Sequence, residues 1–219
     1  MAKTILDVSR WQGTIDWEKV AASGKIDGVM LKTVSTNRKF SNRPDGLYID
    51  PTFERNYAEC RRLGIPVGVY YYTYATTHTM ADAELDLLKS ALAGKTLGLP
   101  VCVDVEENKL KKLGKQALTD LVAYSLAKIE SWGVYALLYT GLYYGQTSLY
   151  MGGAALKPYD VWLAAYRTEK PVTGYPYGMW QYTSTARLPG ISSDVDLSYA
   201  YKDYTSIIRR KGLDKVKGA

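Results

Sequence analysis

One histidine, two cysteines and two phenylalanines among 219 residues are few enough to exclude several chemistries. With His78 alone, a histidine-rich metal centre is impossible, and a Ser-His-Asp or Cys-His arrangement has a single candidate base. That residue sits in the polar stretch Thr76-Thr77-His78-Thr79 and reads as a surface position. Cys60 and Cys102 are too few and too far apart for a disulfide framework or a zinc site, so both are expected to be free and buried. No apolar run approaches the roughly 20 residues that span a bilayer. The chain passes from Met1-Ala2-Lys3 straight into Thr4-Ile5-Leu6-Asp7 without a secretory apolar region, and the expectation is a chain with no signal peptide. Carboxylates are left as the main acid-base groups.

The charge excess is also less than it looks. The net charge is +6, but from Arg209 onward there are five basic residues and one acid, which leaves only +2 for the body. No recognition helix or basic-aromatic sheet accompanies those residues, so no nucleic acid partner is expected. Residues 206–219 read as a basic C-terminal tail or linker, the attachment point for a missing C-terminal binding module, behind a single domain over 1–205. A hydrophobic share of 47% with 23% charged residues is that of an ordinary folded domain long enough to bury one large core. What is abundant is tyrosine, 20 residues, with five tryptophans. Both pair an apolar ring with a polar handle, which suits half-wet surfaces and grooves for amphipathic ligands such as sugars.

Strand and helix signals alternate through the first two-thirds. Thr4–Val8, Asp27–Val34, Val67–Tyr74, Leu99–Glu107 and Val134–Tyr139 read as strands, each followed by a helical stretch or a polar segment. The strongest helix runs from Lys115 to Trp132; Asp50 and Thr79 read as N-caps, and Ser35–Tyr48 as a long polar loop. The rhythm then changes, because Asp160–Tyr166, Gly178–Tyr182 and Asp194–Ser198 read as strands without helices between them. The fold class is therefore α/β: an irregular single-domain TIM-like barrel of five β/α units followed by three strands.

Barrels of this kind carry functional residues at the C-terminal ends of their strands. Asp7 ends strand one, Asp104 and Glu106 end strand four, and Asp196 lies late in strand eight. The period of two puts Asp104 and Glu106 on one face, with Cα atoms about 6.5–7 Å apart, where each charge disturbs the other's proton affinity. Closure of the barrel makes strands one and eight neighbours and gathers four acids at one rim, whereas Asp194 reads as a surface residue. Tyr70, Tyr72, Tyr139, Trp162, Tyr166 and Trp180 cluster at the same strand ends. Carboxylates framed by such rings suit glycoside cleavage, with one acid protonating the leaving oxygen. A set of acids could equally bind a metal ion, and that rival stays open at this point.

Asp7-Val8-Ser9-Arg10-Trp11-Gln12-Gly13, Ile15-Asp16-Trp17, Gly68-Val69-Tyr70, Asp104-Val105-Glu106, Trp162-Leu163-Ala164-Ala165-Tyr166, Trp180-Gln181-Tyr182 and Val195-Asp196-Leu197 resemble, in that order, the motifs of glycoside hydrolase family 25. The resemblance implies an N-acetylmuramidase, of the kind often found as phage endolysins, that cleaves the β-1,4 bond between N-acetylmuramic acid and N-acetylglucosamine in peptidoglycan. It implies Glu106 as general acid, Asp104 as its partner at the substrate's acetamido group, and Asp7 and Asp196 as supporting carboxylates. The six aromatics above would line the glycan groove. No metal, cofactor or membrane partner is implied, and such a protein would wait in the cytoplasm until lysis and then act on the wall.

Two departures stand out. Thr33-Val34-Ser35-Thr36 replaces an Ala-Thr-Glu-Gly type segment, and Ser198 stands where Asn is frequent. Retaining, inverting and acetamido-assisted routes are all compatible with the spacing, and the last is favoured. A catalytically silent barrel that binds wall glycan, and a chitin-directed hydrolase, are the competing readings.

Overall fold

The computed structural model describes residues 2–218. In chain order the elements are β1 (Lys3–Val8), a 3-10 turn (Arg10–Gln12), α1 (Trp17–Ala22), β2 (Gly28–Lys32), β3 (Val34–Thr36), β4 (Leu47–Ile49), α2 (Phe53–Arg62), β5 (Val67–Tyr72), α3 (His78–Leu92) and β6 (Val101–Asp104). They continue with a 3-10 segment (Asn108–Leu113), α4 (Lys115–Ser131), β7 (Ala136–Gly141), α5 (Leu142–Ser148), β8 (Asp160–Ala164), β9 (Met179–Ala186), β10 (Val195–Ala200) and α6 (Tyr204–Lys211). Eight strands close a barrel in the order β1-β2-β5-β6-β7-β8-β9-β10, while β3 and β4 form a separate two-stranded sheet. The irregular α/β barrel expected from the strand count is the observed fold.

Alternation along each strand builds two layers of core. Outward residues such as Leu6, Leu31, Val69, Val103 and Leu138 pack under the helices, whose buried faces include Phe53, Leu85, Leu88, Leu118 and Ile129. Inward residues Ile5, Met30, Cys102, Leu137, Trp162 and Met179 fill the lower barrel. Gly68 also faces inward, where an added Cβ would stand 2.6 Å from Met30 Sδ and 2.7 Å from both Leu99 Cβ and the Pro100 carbonyl oxygen. Part of that wall is backbone and cannot yield. Gly68→Ala is expected to lower stability by about 1–3 kcal/mol, the scale of overpacking, read as a lower denaturant midpoint at unchanged slope.

Three expectations need correction. β10 is antiparallel to both β1 and β9, so Asp196, its second residue, reaches the rim from the strand's beginning rather than its end. A strand that enters from the top places its first residues where parallel strands place their last. Second, the polar loop after β2 holds the β3–β4 hairpin, paired Val34 with Ile49 through Thr36 with Leu47. Third, the basic segment after residue 205 is not a solvated extension, because it begins inside α6. Tyr204 and Ile208 of that helix are buried in the barrel interior cluster. Asp160 at the barrel floor accepts hydrogen bonds from the Tyr204 hydroxyl (2.9 Å) and the Tyr135 hydroxyl (3.1 Å) and pairs with Lys202 (2.9 Å). Beyond the helix, Leu97 N–H donates to the Asp214 carbonyl at 2.7 Å and Lys217 N–H to that of Trp132 at 2.8 Å.

Two helix starts also move. Thr77, not Thr79, caps α3 by accepting from Met80 N–H. Thr52 is the N-cap of α2, and Asp50 instead accepts from the Thr52 N–H and from Arg10 N–H. Cys60 and Cys102 are free and buried, as expected.

Glu84 of α3 holds the end of β5, accepting from Thr73 Oγ1 at 2.6 Å and Tyr74 N–H at 2.9 Å. Burial outweighs those bonds and pushes its carboxyl up to about 7. Its native proton affinity exceeds that in the unfolded chain, so its contribution to stability is full below the ordinary carboxylate range and is lost as pH rises through about 7. Glu84→Gln is expected to flatten the fall in Tm between about pH 5 and 8; an unchanged Tm–pH slope would contradict this.

Candidate active site

Asp7 and Asp196 are direct cross-strand partners on β1 and β10. Asp104 ends β6, and Glu106 stands two residues beyond it. All four acids line one cavity of about 300 Å³ at the barrel mouth, a volume at the lower end of small-molecule sites. The backbone on either side of Glu106 is fixed from the neighbouring strand and helix. Thr140 Oγ1 donates to the Val105 carbonyl and the Tyr144 hydroxyl to that of Glu107, both at 2.9 Å.

Burial dominates the electrostatics. Asp7 is raised well above the ordinary carboxylate range by burial and then by the Asp196 charge, against a hydrogen bond from Gln181. Burial, with Glu106 next to it, raises Asp104 strongly, and Lys32 opposes the rise. Asp104 is 5% exposed and its Oδ1 has no hydrogen-bond partner. Glu106 keeps a solvent-facing side, yet the protein around its carboxyl raises it too, with Lys32 again opposing. Burial also raises Asp196. A cluster of this kind holds protons at pH values where isolated carboxylates have lost theirs, which is what an acid catalyst at neutral pH requires.

Tyr70, Tyr72, Tyr139, Trp162 and Tyr166 line the same cavity. Trp162 meets Tyr139 edge-on at 4.8 Å between ring centroids, and its indole N–H donates to Ser198 Oγ at 2.9 Å. The serine that departs from the usual Asn thus anchors this tryptophan. Trp180 does not line the cavity. It alternates with the inward Met179 and Gln181 on β9, so its indole packs outside with Tyr182 and Tyr199 and donates to the Ala165 carbonyl. Asp194 pairs with Arg187 at the surface, and exposed His78 packs on Tyr124.

Gln181, Lys32, Ser9, Trp11 and Gln12 also line the cavity and were not expected there. Gln181 accepts from the hydroxyls of Tyr139 (2.9 Å) and Tyr166 (3.1 Å), which turns its amide so that Nε2 donates to Asp7 Oδ2 at 3.0 Å. Parity with Met179 is the signal that could have found it. Lys32 had a similar signal, as a lysine in step with the inward Met30; its ammonium lies 5.2 Å from the Tyr72 ring centre. Trp11 is 71% exposed at the cavity edge, and Arg10 is sandwiched between its ring and that of Phe40, 4.1 Å from each centroid. Among the described residues, no three His, Cys, Asp or Glu side chains are placed to hold a metal ion.

Raised carboxyls beside an aromatic cavity at a barrel mouth suit proton-assisted cleavage of an acetal, and fold and site together define a barrel glycosidase. The model of glycosyl hydrolases family 25 matches residues 6–191, and the chain belongs to that family. It is 29% identical over 196 residues to the uncharacterized protein YegX of Escherichia coli, covering 88% of this chain and 67% of that one. Lysozyme M1 of Streptomyces globisporus is 26% identical over 204 residues, covering 87% of this chain and 65% of the lysozyme. The crystal structure of the bacterial lysozyme from Streptomyces coelicolor superposes with a TM-score of 0.78 at 23% identity over 97% of both chains, a likeness of fold.

Proposed function

We propose that the chain is a peptidoglycan muramidase that hydrolyses the β-1,4 bond between N-acetylmuramic acid and N-acetylglucosamine in the bacterial cell wall, with Glu106 as the proton donor. The observation that carries this reading is the position of Glu106: its raised carboxyl stands at the opening of a cavity whose other acids lie deeper. Family membership and the similarity to a lysozyme support the substrate class.

In the reaction, Glu106 gives its proton to the glycosidic oxygen as the bond to the anomeric carbon breaks. The acetamido oxygen of the same sugar attacks that carbon, so no protein nucleophile is needed. Asp104 accepts the acetamido N–H through the buried Oδ1 that lacks a partner in the protein; with the proton of the Asp104–Glu106 pair on Glu106 and Lys32 opposing its rise, the Asp104 carboxylate stabilises the cationic ring that forms. Glu106 then takes a proton from the water that opens the ring. Asp7, held by Gln181, and Asp196 position the sugar, and the Asp196 charge helps Glu106 keep its proton, while Tyr70, Tyr139 and Trp162 line the cavity around it.

The competing reading is a silent wall-binding barrel. Release of reducing sugar from purified peptidoglycan by the unmodified protein is the expected result. Tight retention on the polymer without any new reducing ends would favour the silent barrel instead.

A further inference from the structure

Next to the barrel cavity lies a second groove of about 600 Å³, lined by the start of α5 (Leu142–Tyr144), Gln146, and the end of β8 with the segment after it (Ala164, Ala165, Arg167). Glu106 is the one residue that lines both. An acid that protonates a glycosidic oxygen must stand between the two sugars that the oxygen joins. If the barrel cavity holds the sugar whose acetamido group Asp104 orients, the leaving sugar and its continuation fall in this groove.

The groove's chemistry is that of a carbohydrate platform with one added charge. Tyr143 is 74% exposed and offers a free ring face. Apart from Glu106, Arg167 is the only charged residue in the lining; it is exposed and makes no ion pair among the described residues. The four carboxylates of the barrel mouth disfavour any further anion beside them. A guanidinium on the far side of Glu106 favours one there, and its planar fork suits a carboxylate. The leaving sugar is N-acetylglucosamine and carries no peptide, but the muramic acid next to it in the strand bears a stem peptide with such anions, and it falls in the continuation that this groove holds.

We infer that this groove is the leaving-side subsite and that Arg167 recognises a carboxylate of the stem peptide, making peptide-substituted glycan the preferred substrate. The inference rests on the muramidase reading. Its test compares soluble peptidoglycan strands bearing stem peptides with the same strands stripped of peptide by an amidase, the lactyl carboxylates that this exposes being capped as amides. The ratio of kcat/KM on the two substrates is expected to fall about 3- to 10-fold in Arg167→Gln, mostly through KM, and to recover in part in Arg167→Lys. That loss should shrink at high salt. An unchanged ratio, with the unmodified enzyme cleaving both substrates, overturns the role of Arg167 and leaves the muramidase reading standing. Failure of the unmodified enzyme to cleave either substrate overturns both.

Discussion

Glu106→Gln is expected to lower peptidoglycan hydrolysis by at least about 10²-fold, the scale of losing general acid catalysis, with the fold intact. Glutamine preserves the shape and polarity of the side chain but has no proton to give. The surrounding backbone is held independently of the carboxyl by Thr140 and Tyr144, so the loss should not come from a displaced loop. The pH profile adds a sharper signature. Because Glu106 is raised by its surroundings, the native enzyme should lose activity as pH climbs through that raised value, and the residual activity of the variant should lack this limb. Near-native release of reducing sugar by the variant would remove Glu106 from its assigned role.

Asp104→Asn should separate activity from stability. In the proposed mechanism its side chain is the partner of the acetamido group, and loss of its charge is expected to cost about 10²–10³-fold in kcat. The same charge burdens the folded protein. Burial and Glu106 raise Asp104 far above the ordinary carboxylate range, so the native state binds its proton more tightly than the unfolded chain does. Stability from this group is full below the ordinary range and is lost as pH rises through the raised native value. Asparagine carries no such burden. At pH 8 the variant should therefore melt higher, on the order of 2–4 °C for each kcal/mol recovered in a chain of this size, while being nearly inactive. A variant that melts lower at pH 8 would show instead that the Asp104 carboxylate supports the fold.

Much of this arrangement is legible in the sequence because periodicity is a local property. The alternation in Val101–Asp104 places Asp104 inward without reference to any other strand, and the same count brings Asp7, Tyr70, Tyr139 and Trp162 to the mouth. What escaped depends on relations between distant segments. Asp196 belongs at the rim, but the direction of β10 is set by its pairing with β1 and β9, which no local pattern encodes. Trp180 and Gln181 differ by one position, and the eye goes to the aromatic; the register with Met179 sends the tryptophan out and the glutamine in. The basic charges of the C-terminal segment conceal Tyr204 and Ile208, whose buried side chains help dock a short helix under the barrel. Lys32 lies within the stretch read as the second strand, with nothing local but its step with Met30 to single it out, yet it is the cation facing Asp104 and Glu106.

The most direct test of the central claim is digestion of purified peptidoglycan by the unmodified protein, followed by borohydride reduction and mass analysis of the fragments. Reduced N-acetylmuramic acid at every new end is the predicted result. Reduced N-acetylglucosamine at those ends, or cleavage of chitin oligomers with no cleavage of peptidoglycan, would contradict it.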